Sequence, residues 1–331
     1  MADRPNLLQK GQFAIETTSG TLVPATKRFV ALDLRPTIMQ DRMRVYGTGD
    51  QHARGMITNS VATEVGVSGT PSFDELSYLL SLYLGTPTIT TPASAILARQ
   101  SQWLSANGTV PTPRTMTYEW GDANHAQQAG YVFGRDITIN FARGGDGMSV
   151  TGTLQGRGTV TPFTLTAGAT DLPYVIAEGV DADIYVDTTF AGLGTTKLTR
   201  AFGGSFTLGG LNSSFMALNS TQPSFAGIVP TRPDSNVSLR VGADATGLAL
   251  ASDGVRRYVS LVVNSGNNID AGIVASAYRL TIDCCLELEE PGTFDDESGL
   301  LVIPPRFAIV HDATAGFAFR IQVVNTQTAI T

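Results

Sequence analysis

Histidine, cysteine and positive charge are all scarce in this chain, and each shortage removes a class of function. Its 331 residues include three histidines, two cysteines and 22 Lys+Arg against 29 Asp+Glu, a net charge of −7. A nucleic-acid binder needs a basic patch to neutralise phosphates, and an acidic chain coexists with DNA only where it need not hold it. Cys284 and Cys285 are sequence neighbours. In a strand they point to opposite faces, so they are badly placed to bridge each other, and two thiols are too few for a zinc site. No apolar run approaches the length of a membrane span, and the N-terminus MADRPNLLQKGQF has no apolar leader segment. The polypeptide is therefore expected to be made and assembled in cytoplasm.

Catalytic chemistry is missing as well. His52, His125 and His311 sit in separate polar segments, and no G-x-S-x-G elbow, P-loop or H-E-x-x-H is present. His311 and Asp312 are adjacent, a spacing at which side chains rarely pair. Gly144-Gly145-Asp146-Gly147 lacks the helix start that phosphate binding needs and suits a hairpin tip. Asp295-Asp296-Glu297 does not have EF-hand spacing and reads as a solvated loop. No enzyme activity, cofactor or metal is expected.

What is plentiful is glycine, 35 residues, with 16 prolines and only 15% charged residues. Short strands punctuated by turns give this composition, so the chain is expected to be mainly β. Residues 135–158, RDITINFARGGDGMSVTGTLQGRG, show it best. Ile137, Ile139 and Phe141 alternate with Asp136, Thr138 and Asn140. After the loop Arg143–Gly147, Met148, Val150 and Leu154 alternate with Ser149, Thr151, Thr153 and Gln155. Period two marks pleated strands with one face buried and one wet.

Other segments follow in order. Short strands are expected at Phe13–Glu16 and Phe29–Leu34, then at Ser60–Ser68 with Val61, Thr63, Val65 and Val67 together. Ser72 then caps a helix, Glu75 completes a capping box, and Leu76, Leu79, Leu80 and Tyr83 form one apolar stripe before Gly85. Gly85–Thr117 reads as a long functional loop with a brief helix near Ala95–Leu104. Its Trp103 is either a packed anchor or an anchor on a neighbouring subunit.

The second half echoes the first. Strands are expected at Ala182–Val186, Phe202–Leu208, Asn236–Val241 and Arg257–Val263, with a short helix at Thr246–Ser252. Tyr278–Glu289 is the longest alternation, with Leu280, Ile282, Cys284, Leu286 and Leu288 opposite Asp283, Cys285, Glu287 and Glu289. Gly316–Asn325 alternates again. From Leu280 to Pro305 there are seven acids and no base, a surface that repels phosphate. The strand-then-helix order suggests duplication.

The layout resembles the major tail tube proteins of long-tailed, siphovirus-type bacteriophages. The resemblance is carried by VATEVGVSGTPSFDELSYLLSLYLG (61–85), DITINFARGGDGMSVTGTLQG (136–156), NVSLRVGADATG (236–247), YRLTIDCCLELEEPGTFDDESG (278–299) and VHDATAGFAFRIQVVN (310–325). It implies a β-sandwich/barrel tube domain with a flanking short helix, self-assembled into stacked rings. Six domains per ring each give four strands to an inner barrel, which conducts double-stranded DNA at ejection without specific binding. It also implies a place in the virion tail, with tape measure and tail terminator proteins as partners. The length favours two fused domains, 1–165 with the N-terminal arm and long loop and 166–331 as a second tube-like domain. The ring would be a trimer with pseudo-sixfold symmetry, with a hexamer of singly endowed chains as the alternative. The expected lumen-lining residues are Asp136, Thr138, Asn140, Thr151, Thr153, Asp283 and Glu287. The arms Gly85–Thr117, with Trp103 as the inter-ring candidate, and Thr159–Thr199 are expected to touch neighbouring rings. A soluble β-sandwich glycan-binding surface module remains the other reading, and an enzyme on a β scaffold a third.

Overall fold

Ser72 does what its position predicts. In the computed structural model, which describes residues 9–108, 110–122, 125–142, 147–176, 182–218, 224–273 and 276–331, it caps helix α1 (Phe73–Leu84). Its Oγ accepts the Glu75 amide at 3.2 Å, and the Glu75 carboxylate accepts the Ser72 amide at 3.1 Å. The same carboxylate takes the amides of Val30 and Ala31, so one side chain ties the helix start to an incoming turn. Gly85 ends the helix at φ 84°, a backbone geometry open to glycine. The expected one-sided stripe is not what results, because all twelve residues are buried. The polar ones are matched individually. Asn325 donates to Ser77 Oγ at 2.7 Å, and Gln327 donates to Asp74 at 2.8 Å.

Strands surround this helix. Before it come β1 (Lys10–Ile15), β2 (Lys27–Phe29), β3 (Leu32–Val45) and β4 (Gly55–Gly69). After it come β5 (Thr88–Thr90), β6 (Arg99–Ser105), β7 (Met116–Gly121), β8 (Ala126–Ala142), β9 (Met148–Arg157) and β10 (Val160–Phe163). The second half holds β11 (Thr170–Asp171), β12 (Ala182–Asp187), β13 (Ala201–Gly209), β14 (Asn212–Phe215), β15 (Gly227–Pro230) and β16 (Asp234–Gly242). Helix α2 (Ala245–Ser252) follows, capped by Asp244, and then β17 (Arg257–Asn268), β18 (Ala277–Glu290), β19 (Asp295–Glu297), β20 (Leu300–Ile303), β21 (Arg306–Ile309) and β22 (Phe319–Asn325). The chain is mainly β.

Two expectations fail locally. The brief helix near Ala95–Leu104 is strand β6 instead. Ser101 and Trp103 turn inward while Gln100, Gln102 and Leu104 turn outward, and β6 pairs with β22 over its whole length. The loop reading missed this because a short Thr- and Ser-rich alternation looks like a polar tether. Strand β3 also runs eleven residues past the expected Leu34, paired with β4 to Val45. From Thr37 on nearly every β3 residue is exposed, so no inside–outside alternation marked it. Of the glycine-rich tip, residues 143–146 lie outside the described residues.

The strands form an antiparallel run, β3-β4-β9-β8-β13-β16-β21-β18-β17-β12. Strand β8 is long enough to serve two partners on one edge, β7 with its first half and β13 with its last. Between them Tyr131 takes φ 55° and the register shifts after Gly134, which bends the strand. The sheet rolls so that Phe141, Phe206, Leu239, Val259 and Ile282 meet inside, with the rings of Phe206 and Phe319 edge to face at 5.8 Å. Helix α1 packs on β8 through Tyr83. A Cβ at Gly134 would clash with that ring and one at Gly152 with its hydroxyl and the Asp136 carbonyl, so only glycine lets the helix sit this close.

The 165/166 boundary falls between β10 and β11, which pair with β8 and β2 of the first half. The last strand, β22, pairs with β6, and Thr326 and Gln327 hydrogen-bond Asp74 on α1.

Candidate functional site

The wet face of the central strands is the feature on which a function can rest. Registers place side chains from successive strands in line. Ser68 of β4 lies beside Thr151 of β9, Thr151 beside Thr138 of β8, Thr138 beside Thr207 of β13, and Thr207 beside Asn236 of β16. The Thr138 and Thr207 hydroxyls are 3.1 Å apart, in hydrogen-bond contact. A parallel row joins Ser149, Asn140, Ser205 and Ser238, and a third joins Gly66, Thr153 and Asp136. None of these residues is buried. Asp136 brings the one charge of these rows, and it accepts the Gly210 amide at 2.6 Å. The opposite face of the same strands supplies Val67, Val150, Ile139 and Phe206 to the core. One pleat thus builds a core on one side and a hydroxyl-and-amide floor on the other.

Five of the seven expected lining residues, Asp136, Thr138, Asn140, Thr151 and Thr153, therefore share one surface. Glu287, on β18, is separated from them by β13, β16 and β21; it lies beside Ala308 of β21, and its carboxylate holds Arg256 at 2.6 Å. Asp283 does not belong to an open lining. It is 3% exposed, accepts Ser260 Oγ at 2.7 Å and takes both Nε and Nη2 of Arg320, at 2.9 and 2.6 Å. Alternation put it on the polar row correctly, but strands β17 and β22 on either side supply partners that seal it. Trp103 is likewise no free anchor. It is 3% exposed, and its indole donates to the Gly85 carbonyl at 2.9 Å. The sequence reading passed over Ser205, Thr207, Asn236 and Ser238. The signal was there, since Ser205 and Thr207 alternate with Phe206 and Leu208.

Beyond Glu287 the polar row of β18 is roofed. Cys285, Tyr258 and Phe317 form a small apolar cluster. Asp312 closes its rim, accepting the amides of Thr314 and Ala315, the Tyr258 hydroxyl and Arg256. These donors, led by the Ala315 amide and the Arg256 guanidinium, hold the Asp312 carboxyl down to about 2. Burial pushes both thiols up, Cys285 to about 11. Both are buried and held toward the protonated thiol.

Asp295, Asp296 and Glu297 form strand β19, not a loose loop, and Arg240 binds Asp295 at 2.8 Å and Glu297 at 3.1 Å. The Asp295 and Glu297 charges are directed to a guanidinium of β16, one strand beyond their partner β20. No helix among the described residues is long and apolar enough to cross a membrane.

No family model matches this chain, and no curated protein matches it.

Proposed function

We propose that the chain is the tube subunit of a long-tailed bacteriophage tail, a non-enzymatic protein that closes into rings and stacks into a pipe for double-stranded DNA. The observation that carries this reading is the unbroken floor of Thr, Ser and Asn across β4, β9, β8, β13 and β16. Duplex DNA carries a charge about every 1.7 Å of axis, so any attractive lining would act at every step of its passage. Hydroxyls and amides with a sparse carboxylate let it slide.

The pairing order supports two tube domains in one chain. In the first half the order is β1-β7-β8-β9-β4-β3, and in the second it is β12-β17-β18-β21-β16-β13. In each, an antiparallel pair runs into a helix, β3 and β4 into α1, β13 and β16, with β14 and β15 between them, into α2. Eight strands of the run, β3 to β18, are then the contribution of one chain. Three chains would supply 24, and strands about 4.8 Å apart would give a backbone circle roughly 37 Å across before tilt. That is wide enough for a duplex once side chains are in place. In the reading, tape measure and terminator proteins meet the pipe inside and at its end, in the virion tail.

The glycan-binding alternative gains nothing from the two tryptophans, since Trp103 is buried and Trp120 half-buried. Negative-stain imaging of the purified protein at rising concentration tests the proposal. Rings and tubes are expected, with native mass giving three chains per ring. A chain that stays monomeric at every concentration sinks it.

A further inference from the structure

An open hollow of roughly 400 Å3 lies between β12, the end of β16 and the first turn of α2. None of the residues that line it belongs to the hydroxyl floor. Its volume is within the range of small-molecule sites. The inner wall is apolar, formed by the buried Val241 and Leu250 and the half-buried Leu198. A Cβ at Gly247 would strike the Gly242 carbonyl, so α2 starts directly against the end of β16. The Gly242 amide donates to the Arg200 carbonyl at 2.9 Å, which fixes Arg200 beside the hollow.

Three cations line the same hollow, Lys197, Arg200 and Arg257, with Thr199 and Thr246 among them. Each has an aspartate nearby, but they are held unequally. Lys197 meets Asp183 at 2.5 Å. Arg200 stands 3.7 Å from Asp244, whose other oxygen caps α2 by accepting the amides of Thr246 and Gly247. Those amides are therefore taken, and the helix start is not what a ligand would meet. Arg257 gives Nη2 to Asp253, while its Nε is buried and has no acceptor. A buried guanidinium N–H left without an acceptor is costly, and here it belongs to a side chain that lines a hollow.

We propose that this hollow is a binding site for a small phosphate monoester with a short apolar body. The phosphoryl oxygens accept from Arg257 Nε and from Arg200, which turns from Asp244, and the Thr199 and Thr246 hydroxyls complete the set. The apolar body lies against Leu198, Val241 and Leu250. Guanidinium groups suit this role because their fixed N–H directions match phosphate oxygens and the charge assists each bond. The wall selects for an ester over the bare ion, since only the ester has apolar surface to bury. The inference is independent of ring formation and of what a pipe would carry.

Calorimetric titration of the full chain with phenyl phosphate tests it, with inorganic phosphate and benzyl alcohol as comparison probes. Saturable binding of phenyl phosphate is expected, weaker binding of inorganic phosphate and none of benzyl alcohol. Arg257→Lys keeps the charge but removes Nε, and it is expected to weaken phenyl phosphate about tenfold, the loss of one charge-assisted hydrogen bond. Arg200→Gln changes an exposed side chain and is expected to act in the same direction, so the test stands even if Arg257→Lys does not fold. Ala249 is exposed and lines the hollow, and Ala249→Trp fills the space without touching a charge. It is expected to abolish binding while thermal unfolding shows the chain still folded. Absence of saturable binding overturns the site. So does binding that survives Ala249→Trp, or that a folded Arg257→Lys or Arg200→Gln leaves unchanged, or that benzyl alcohol matches.

Discussion

Asp74 and Asp312 are both carboxylates held inside the protein, and they bend its pH response in opposite directions. Asp74 is fully buried in the first turn of α1, one of its oxygens is without a partner, and burial raises its pKa. A raised carboxyl makes the ionised form costly, so its penalty is present above the folded pKa and disappears as pH falls through it. Asp74→Asn is expected to raise stability at neutral pH, with the gain fading as pH falls into the ordinary carboxylate range, read by urea unfolding at a series of pH values. Asp312 works the other way. Its folded pKa is depressed to about 2, so its stabilisation is present above the ordinary carboxylate range and is lost as pH falls from there toward 2. Asp312→Asn is expected to flatten that acid limb. Arg320 offers a third check at this scale. Removing it strands Asp283 at 3% exposure, and Arg320→Ala is expected to cost about 2–4 kcal/mol, the cost of an uncompensated buried charge. Arg320→Leu with Asp283→Asn should cost less, as thermal unfolding would show.

Among the elements, helix α1 was the most legible and for local reasons. A cap, a box and a glycine stop are all written within fourteen residues, and each is satisfied in place. Ser72→Ala is expected to cost about 1 kcal/mol and Glu75→Ala more, because Glu75 alone serves the amides of Val30, Ala31 and Ser72. Chemical denaturation separates the two. The hairpin 135–158 was legible through strict alternation, and so was β18. Illegible stretches share a cause. Strand β3 is wet on both faces past Thr37, so no alternation reports it, and β6 is a strand only because β22 lies beside it. Which polar-row residues stay open was beyond sequence as well. Asp136 and Asp283 look alike in pattern, but Arg320, 37 residues from Asp283, closes over one of them. Pattern gives the face, and long-range pairing decides what covers it.

At the scale of the molecule, the hydroxyl floor makes its own prediction. Thr138 and Thr151 are adjacent across β8 and β9, half-exposed and exposed. Replacing both with Lys is expected to cost about 1 kcal/mol of stability, because two like charges then face each other across the ladder and the Thr138 hydroxyl contact is lost. If the floor lines a pipe, those lysines would repeat around every ring, and assembled tubes would retain duplex fragments at low salt and release them as salt rises. Fluorescently labelled DNA and sedimented tubes give the readout. Retention by the unchanged protein would count against a slippery lining.

The internal pairing of β13 with β8 has a mechanical corollary. That seam is tethered, since both of its sides belong to one polypeptide, and it cannot be lost by dilution. A hoop of three such chains has six seams, but only three of them must be found by diffusion. The loss of translational and rotational freedom, roughly 4–15 kcal/mol for each association, would be incurred twice, against five times in a hoop made from six separate pieces. Such a hoop would also fail in a characteristic way, parting along three meridians and leaving the other three whole.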